Sequence, residues 1–375
     1  GSGYTGLQAA LQTARAGRRT LVIDAGDAGF GCSTRNGGQV STSIKPGFAA
    51  LARRHGEARA REILLEGRRS LQWLGTFIAD EGIDCDWGVV GRFHAAHNAH
   101  QFELLAQAAT QQTPGLEVPA EVVPRAEQRR EIGTDAYWGG VVYGAHASVD
   151  PARYHQGLLQ RVREAGATVL PHCAAERIER EGTGAGARQR VHTARGTVRA
   201  RDVVVATNGY TGALTPWLRR RVVPIGSYII ATEPLEPALV QRLIPRNRIV
   251  SDTRRVVYYY RASPDGRRLL FGGRVSTSET DPRVSGPLLH ADMVALFPEL
   301  AGTRISHSWA GFVAYTFDTL AHLGRHDGVH YAMGYCGSGV GMGSYLGMRI
   351  GQQVLGLAEG RTAFDELPFP TRPLY

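Results

Sequence analysis

The chain has 375 residues, 43% of them hydrophobic, enough for two domains and a substantial core. Its apolar runs are too short for a helical membrane span. The net charge of +9 rests on 43 basic residues that are all arginine except Lys45, and runs such as Arg53-Arg54 and Arg219-Arg220-Arg221 stand alone without interleaved aromatics, so no nucleic-acid partner is expected. Cys32, Cys85, Cys173 and Cys336 show no CxxC spacing, which argues against a disulfide framework or zinc site and suits a reducing, cytoplasmic compartment.

Gly1-Ser2-Gly3-Tyr4-Thr5-Gly6 opens the chain as a GxGxxG loop. Leu7, Ala10, Leu11 and Ala14 then recur at helical spacing, Gly17 suits a helix stop, and Leu21-Val22-Ile23 predicts a strand ending in Asp24 and Ala25. Glycines let backbone approach phosphate oxygens, the helix N-terminus adds positive potential, and a carboxylate at the strand end bonds ribose hydroxyls. The opening therefore predicts a dinucleotide site built on Gly1, Gly3, Tyr4, Thr5, Gly6, Asp24 and Ala25. A buried apolar strand normally precedes such a loop, so the natural protein is expected to begin upstream of the first glycine.

Residues 50–82 predict helices with Ile63, Leu64, Leu71, Leu74 and Phe77 as apolar positions. Residues 86–145 mix short strands, loops and a helix near 98–110. His94, His97 and His100 recur every third residue, but that stretch changes from strand to helix, so no metal site is expected. Asp150 caps a helix starting at Pro151 and ending near Gly166. Strands follow at 167–170, 189–193 and 196–199, then the apolar Val203-Val204-Val205 breaks into Ala206-Thr207-Asn208-Gly209. Residues 222–305 add antiparallel-looking strands, including 256–261 and 269–273. A glycine-rich loop from Gly334 to Gly343 then feeds a helix running to about Gly360. The pattern predicts an α/β (α+β) fold, with a Rossmann-like nucleotide domain from 1–45, 146–215 and 306–375. An inserted, mainly antiparallel substrate domain takes 46–145 and 216–305.

Several stretches carry a family resemblance across essentially the whole chain. They are Gly29-Phe30-Gly31-Cys32-Ser33-Thr34-Arg35-Asn36-Gly37-Gly38-Gln39, Tyr259-Tyr260-Arg261 before Leu269-Leu270-Phe271-Gly272-Gly273, Trp309-Ala310-Gly311, Thr316-Phe317-Asp318 and Gly337-Ser338-Gly339. The chain resembles the FAD-dependent oxidoreductases of the D-amino-acid oxidase type, above all the branch of γ-glutamylputrescine oxidase-like amine oxidases. The resemblance implies that Ser33, Thr34, Arg35, Asn36, Gly37, Gly38 and Gln39 wrap the flavin. It further implies that Ala175, Ala206, Thr207 and Asn208 touch the FAD, and that Gly311 and the loop Gly337, Ser338, Gly339, Val340 and Gly341 lie at the ring. A helix N-terminus there stabilises the negative charge that appears when flavin accepts a hydride. Relatives with covalent flavin use a cysteine or a histidine where this chain has Val313 and Asn36, so the implied FAD is non-covalent.

The implied reaction is oxidation of an amine C–N bond, followed by hydrolysis of the imine. Tyr315 matches a family active-site tyrosine. Strand alternation puts Tyr258 and Tyr260 on one face and Tyr259 with Arg261 on the other, and one face is expected to line the pocket. Tyr260 and Arg261 are candidates, Arg261 as a carboxylate anchor or as an ordinary strand arginine. Lys45 is a candidate for activating O2 or a plain surface lysine, since Leu270 stands where some relatives have the oxygen-activating lysine. Another electron acceptor stays open, as do an amino-acid substrate, a flavin domain of an RNA-modifying enzyme and the assembly state.

Overall fold

The computed structural model describes residues 1–276 and 281–372. Its first helix, Tyr4–Arg15, lies against the long helix Gly339–Leu355 near the C-terminus. Glycines set that spacing: a Cβ at Gly347 would sit 2.6 Å from the Thr5 carbonyl oxygen, and one at Gly351 would sit 2.9 Å from that of Ala9. Thr5 adds polar links, donating to the Gly343 carbonyl at 2.9 Å and sharing a 2.7 Å hydrogen bond with the Tyr335 hydroxyl.

Strands flank this helix pair. Leu21–Ile23 runs parallel to Thr168–Leu170, and Val203–Val205 runs parallel to Val329–Met333, which pairs antiparallel with His322–His326. The crossover helix Pro151–Glu164 starts where expected, because the Asp150 carboxylate accepts from the Ala152 and Arg153 amides at 2.9 and 3.0 Å. Ala175–Glu181, Arg188–Thr193 and Gly196–Ala200 form an antiparallel three-stranded sheet.

The other layer is an eight-stranded mixed sheet. Its order is Ile305–Thr316, Val222–Thr232, Leu269–Ser276, Tyr259–Ala262, Ile249–Asp252, Arg92–Ala95, Gly139–Tyr143 and Ala120–Pro124, antiparallel except between Ile249–Asp252 and Arg92–Ala95. The helix Pro282–Leu296 covers one face. Tyr228, Ile230, Phe271, Tyr260, Val250 and Phe93 are buried in one apolar cluster with Leu289 and Met293 of that helix. Alternation turns their neighbours Ser227, Ile229, Tyr259, Ser251, Arg92 and His94 to the opposite face.

Two stretches pack differently from the sequence expectation. Ile305–Thr316, grouped by sequence with the nucleotide unit from 306, is an edge strand of the eight-stranded sheet, bonded along its length to Val222–Thr232. The helix Glu57–Asp80, expected with the second unit, packs Leu71, Leu74 and Phe77 against Leu7 and Leu11 of the first helix. The strand expected from 256 begins only at Tyr259, because Asp252 accepts the amides of Arg254 and Tyr258 at 3.2 and 3.1 Å and closes a turn between them. The C-terminal helix runs from Gly339 to Leu355 and stops at Gly356, whose φ of +77° ends it short of Gly360.

Candidate active site

A cavity of about 1960 Å³ runs between the two layers. At one end it is lined by Ala175, Ile178, Val198 and Ala200, in the middle by the opening glycine loop, and at the other end by Tyr259, Val313 and Tyr315. It also extends between the strands Leu21–Ile23 and Val203–Val205, whose Val22 and Val204 both line it.

The glycine loop is built without room for side chains. A Cβ on Gly6 would lie 1.9 Å from the Gly1 carbonyl oxygen, and one on Gly1 would lie 2.9 Å from that of Ala206. Ser2 is buried and locks the loop to the next strand, donating its amide and hydroxyl to one oxygen of Asp24 at 2.6 and 2.7 Å. The other Asp24 oxygen accepts from Gly26 at 3.1 Å. The first helix has no side-chain cap of its own; the hydroxyl of Ser33 accepts from the Tyr4 amide at 3.1 Å instead. Gly1, Gly3, Tyr4, Thr5, Gly6, Asp24 and Ala25 all border the cavity. A helix N-terminus beside a strand-end carboxylate fits a pyrophosphate joined to a ribose.

The Ser33–Gln39 segment starts in a helical turn, Cys32–Arg35, and is knitted by Asn36. That side chain accepts from the Gly38 amide at 2.8 Å and donates to the Cys32 and Ser33 carbonyls at 3.0 and 3.2 Å. Gln39 donates to the carbonyls of Val250 and Tyr260 at 3.1 and 3.2 Å, tying the loop to the large sheet. Ser33, Arg35, Asn36, Gly37 and Gln39 line the cavity, as do Ala206, Thr207, Asn208, Gly311, Gly337, Gly339 and Val340.

Four of the expected cofactor residues stand behind this wall. Thr34 donates to the Gly29 carbonyl at 2.7 Å, and Ser338 to that of Ser43 at 2.8 Å. Gly38, with φ +65°, presses on the Val149 carbonyl, and Gly341 faces Val40. They shape the loops rather than border the space.

At the far end, Tyr315 and Lys45 border the cavity together, with the Lys45 ammonium 5.8 Å from the Tyr315 ring centre. Burial pushes the Tyr315 hydroxyl up; Lys45 is exposed over much of its side chain, yet local desolvation, helped by Arg92, holds it below its ordinary value. The Cys336 thiol beside them is buried and raised by burial. Tyr259 is the strand tyrosine that faces the cavity; its hydroxyl shares a 2.8 Å bond with Ser227.

Tyr260 and Arg261 are corrections to the sequence reading. Tyr260 is turned into the core, stacked with Phe271 and hydrogen-bonded to the Tyr137 hydroxyl at 3.1 Å. Arg261 shares Tyr259's face but is buried one step past the cavity, donating to the Val149 carbonyl at 2.9 Å. The phase of the strand is set by which face Pro282–Leu296 covers, a long-range fact absent from the local pattern.

Sequence reasoning missed Arg92 and treated His94 only as a metal candidate. Both lie on the sheet face that Tyr259 shares, His94 opposite Ser251 and Ser251 opposite Tyr259, but neither borders the cavity. His94 bonds the Ser251 hydroxyl at 2.9 Å, and His146 bonds that of Thr42 at 3.2 Å. Burial, reinforced by Arg92, holds both rings down to about 3, so they are neutral at ordinary pH. The alternation in Gly91-Arg92-Phe93-His94-Ala95 was the available signal. Among the described residues no group of histidine, cysteine and acid side chains is placed to hold a metal. None of their helices is long and apolar enough to cross a membrane.

A glycine loop faces a mixed, mostly antiparallel sheet across one cavity, an arrangement that fits a flavin-dependent oxidoreductase, and the family model "FAD dependent oxidoreductase" matches residues 1–353. The chain belongs to this DAO family of enzymes acting on amines or amino acids, whose cofactor is FAD. It is 32% identical to the gamma-glutamylputrescine oxidoreductase of Escherichia coli over 98% of this chain and 85% of that protein. It is 28% identical to the probable oxidoreductase OrdL of Haemophilus influenzae, over 99% of this chain and 85% of that protein. The crystal structure of glycine oxidase from Geobacillus kaustophilus superposes with a TM-score of 0.81 at 20% identity, over 99% of this chain and 96% of that one, a likeness of fold.

Proposed function

We propose that this chain oxidises the C–N bond of a γ-glutamyl-polyamine or a similar amine, using FAD held without a covalent bond. When bound, FAD supplies the oxidation by accepting a hydride from the carbon next to nitrogen. Gly1, Gly3 and Gly6 would hold its pyrophosphate against the first helix, and Asp24 its ribose. The reading is carried by the aromatic and apolar wall opposite them: Tyr259 and Tyr315 with Ile225, Ile229, Phe312 and Val313 border the same cavity. Ring faces and branched side chains hold an uncharged amine and its methylene chain while excluding water.

Lys45 is assigned to reoxidation by O2, because a cation beside the ring favours the negative charge that oxygen acquires on reduction. Two measurements test the reading. γ-Glutamylputrescine should bleach the flavin of the anaerobic holoenzyme, whereas glycine and D-alanine should not; the reverse pattern transfers the assignment to an amino-acid substrate. Lys45→Met should slow reoxidation of the reduced enzyme by at least about tenfold, the worth of one charge-assisted contact. An unchanged rate removes Lys45 from that step, whereas a parent enzyme that O2 fails to reoxidise is a dehydrogenase using another acceptor.

A further inference from the structure

The strand Ile305–Thr316 is bonded to Val222–Thr232 along one edge, and among the described residues no strand pairs with its other edge. That outer edge meets the nucleotide layer through side chains instead. The Phe312 amide donates to the Tyr210 hydroxyl at 3.3 Å, and the Cys32 thiol donates to the Phe312 carbonyl at 2.7 Å. The Tyr210 hydroxyl and the Cys32 sulfur stand 3.9 Å apart, so the contacts close a ring around one residue. Burial pushes the Cys32 thiol up to about 11, which keeps it protonated and a donor. Nearby, Trp309 donates its indole N–H to the Arg35 carbonyl at 2.9 Å.

Glycines let these parts meet. A Cβ on Gly209 would lie 2.8 Å from the Phe312 carbonyl oxygen, and one on Gly31 would lie 2.9 Å from the Tyr210 ring. The turn that carries Tyr210 is tied on its own side: the Asn208 side chain accepts the Gly334 amide at 2.9 Å, and Thr207 and Thr211 share a 2.8 Å bond. Gly31, Cys32, Tyr210 and Phe312 all border the cavity, yet Tyr210 is 40% exposed and Phe30 is 52% exposed. The seam thus has cavity on one side and water on the other. Cys32 adjoins Ser33, which caps the first helix, and Phe312 adjoins Val313 on the apolar wall, so the seam stands between the two ends of the cavity. Layers joined by half-exposed side-chain bonds open locally more readily than a paired strand edge.

We propose that the contact of Tyr210 with Phe312 and Cys32 is a latch over FAD, which opens to admit or release the cofactor and whose closure sets how long it stays. Tyr210 is then a positioning residue of the cofactor site. This rests on FAD being held without a covalent bond.

Acid denaturation of the holoenzyme checks that footing: flavin that stays with the chain overturns the non-covalent reading and the latch with it. Entry is then timed by stopped-flow fluorescence on mixing apoprotein with FAD, and exit by loss of flavin from diluted holoenzyme. Tyr210→Phe, which keeps the ring and loses the hydroxyl, should speed both steps by about three- to tenfold, the worth of one neutral hydrogen bond, so that Kd moves less than either rate. Gly311→Cys should do the opposite, because a Cβ there would lie 2.7 Å from the Cys32 sulfur, within reach of a disulfide across the seam. The oxidised variant should exchange FAD at least about tenfold more slowly than its own reduced form. A contact that only supports the fold gives a lower Tm and faster exit with no faster entry. That pattern in Tyr210→Phe overturns the proposal, as does equal exchange by oxidised and reduced Gly311→Cys. Should Tyr210→Phe fold poorly, the two forms of Gly311→Cys decide. If no amine bleaches the flavin, the amine reading falls while these rates still decide the latch.

Discussion

The carboxylate of Asp24 accepts both the amide and the hydroxyl of Ser2 on a single oxygen, at 2.6 and 2.7 Å. The acid expected to meet a ribose is thus also the post that holds the glycine loop in shape. The other carboxylate oxygen accepts only from Gly26 and so keeps a lone pair for a sugar hydroxyl. Asp24→Asn should weaken FAD binding by about ten- to hundredfold, the range for a hydrogen bond to a charged group. Ser2→Ala, which removes one hydroxyl, should weaken it by about tenfold although Ser2 is not a cavity residue. Flavin fluorescence titration of apoprotein measures both. Equal affinity in Ser2→Ala would mean that the loop keeps its form without this bond.

Tyr259 is positioned by two glycines. A Cβ at Gly272 would come within 2.2 Å of its ring, and one at Gly37 within 3.2 Å. Gly272→Ala must therefore push the ring toward the cavity or shift the strand. It should cost about 1–3 kcal/mol of stability by overpacking and raise KM for the amine. Tyr259→Phe keeps the ring and loses only the bond to Ser227, so it should cost about 1 kcal/mol and leave FAD affinity unchanged. Thermal melts with steady-state kinetics separate the two outcomes.

What could be read from the chain was mostly local. The GxGxxG loop, its helix and Asp24, the Asp150 cap and the 203–205 strand each depend on neighbours within a few residues, and each stands where expected. Which face of a strand meets the cavity is different, because it depends on what packs on the other side. Tyr260 and Tyr259 are indistinguishable in sequence, yet the helix Pro282–Leu296 buries one and leaves the other at the site. Arg92 was hidden for the same reason: its strand reaches Tyr259 only through the parallel pairing with Ile249–Asp252. Glu57–Asp80 was placed with the wrong neighbours because an apolar stripe does not name the surface that it covers.

The two neutral histidines make stability depend on pH. His94 and His146 are held to about 3 by burial and by Arg92, against an ordinary value of 6.5. Between those limits the unfolded chain binds protons that the folded one refuses, so stability falls as pH drops from 6.5 toward 3. The slope from each is at most about 1.4 kcal/mol per pH unit. His94→Gln should flatten the dependence of the denaturation midpoint below pH 6.5 without moving it above pH 7.5. An unaltered profile would mean that the ring is hydrated rather than buried.

The C-terminal helix packs along the first helix, beside the nucleotide end of the cavity. Gly347 lets that helix touch the backbone of Thr5, in the first turn of the helix whose N-terminus faces the cavity. Gly347→Val places branched carbons where only 2.6 Å separates a Cβ from the Thr5 carbonyl oxygen, so the helices must part. Overpacking of this kind costs about 1–3 kcal/mol, and the displaced first turn should also bind FAD less tightly. Gly356→Ala is the control: its φ of +77° makes alanine costly, but nothing lies within 4 Å of the new methyl group. That variant should lose stability and keep its FAD affinity. If Gly347→Val melts lower yet binds FAD like the parent, the helix contact supports the fold without setting the cofactor site.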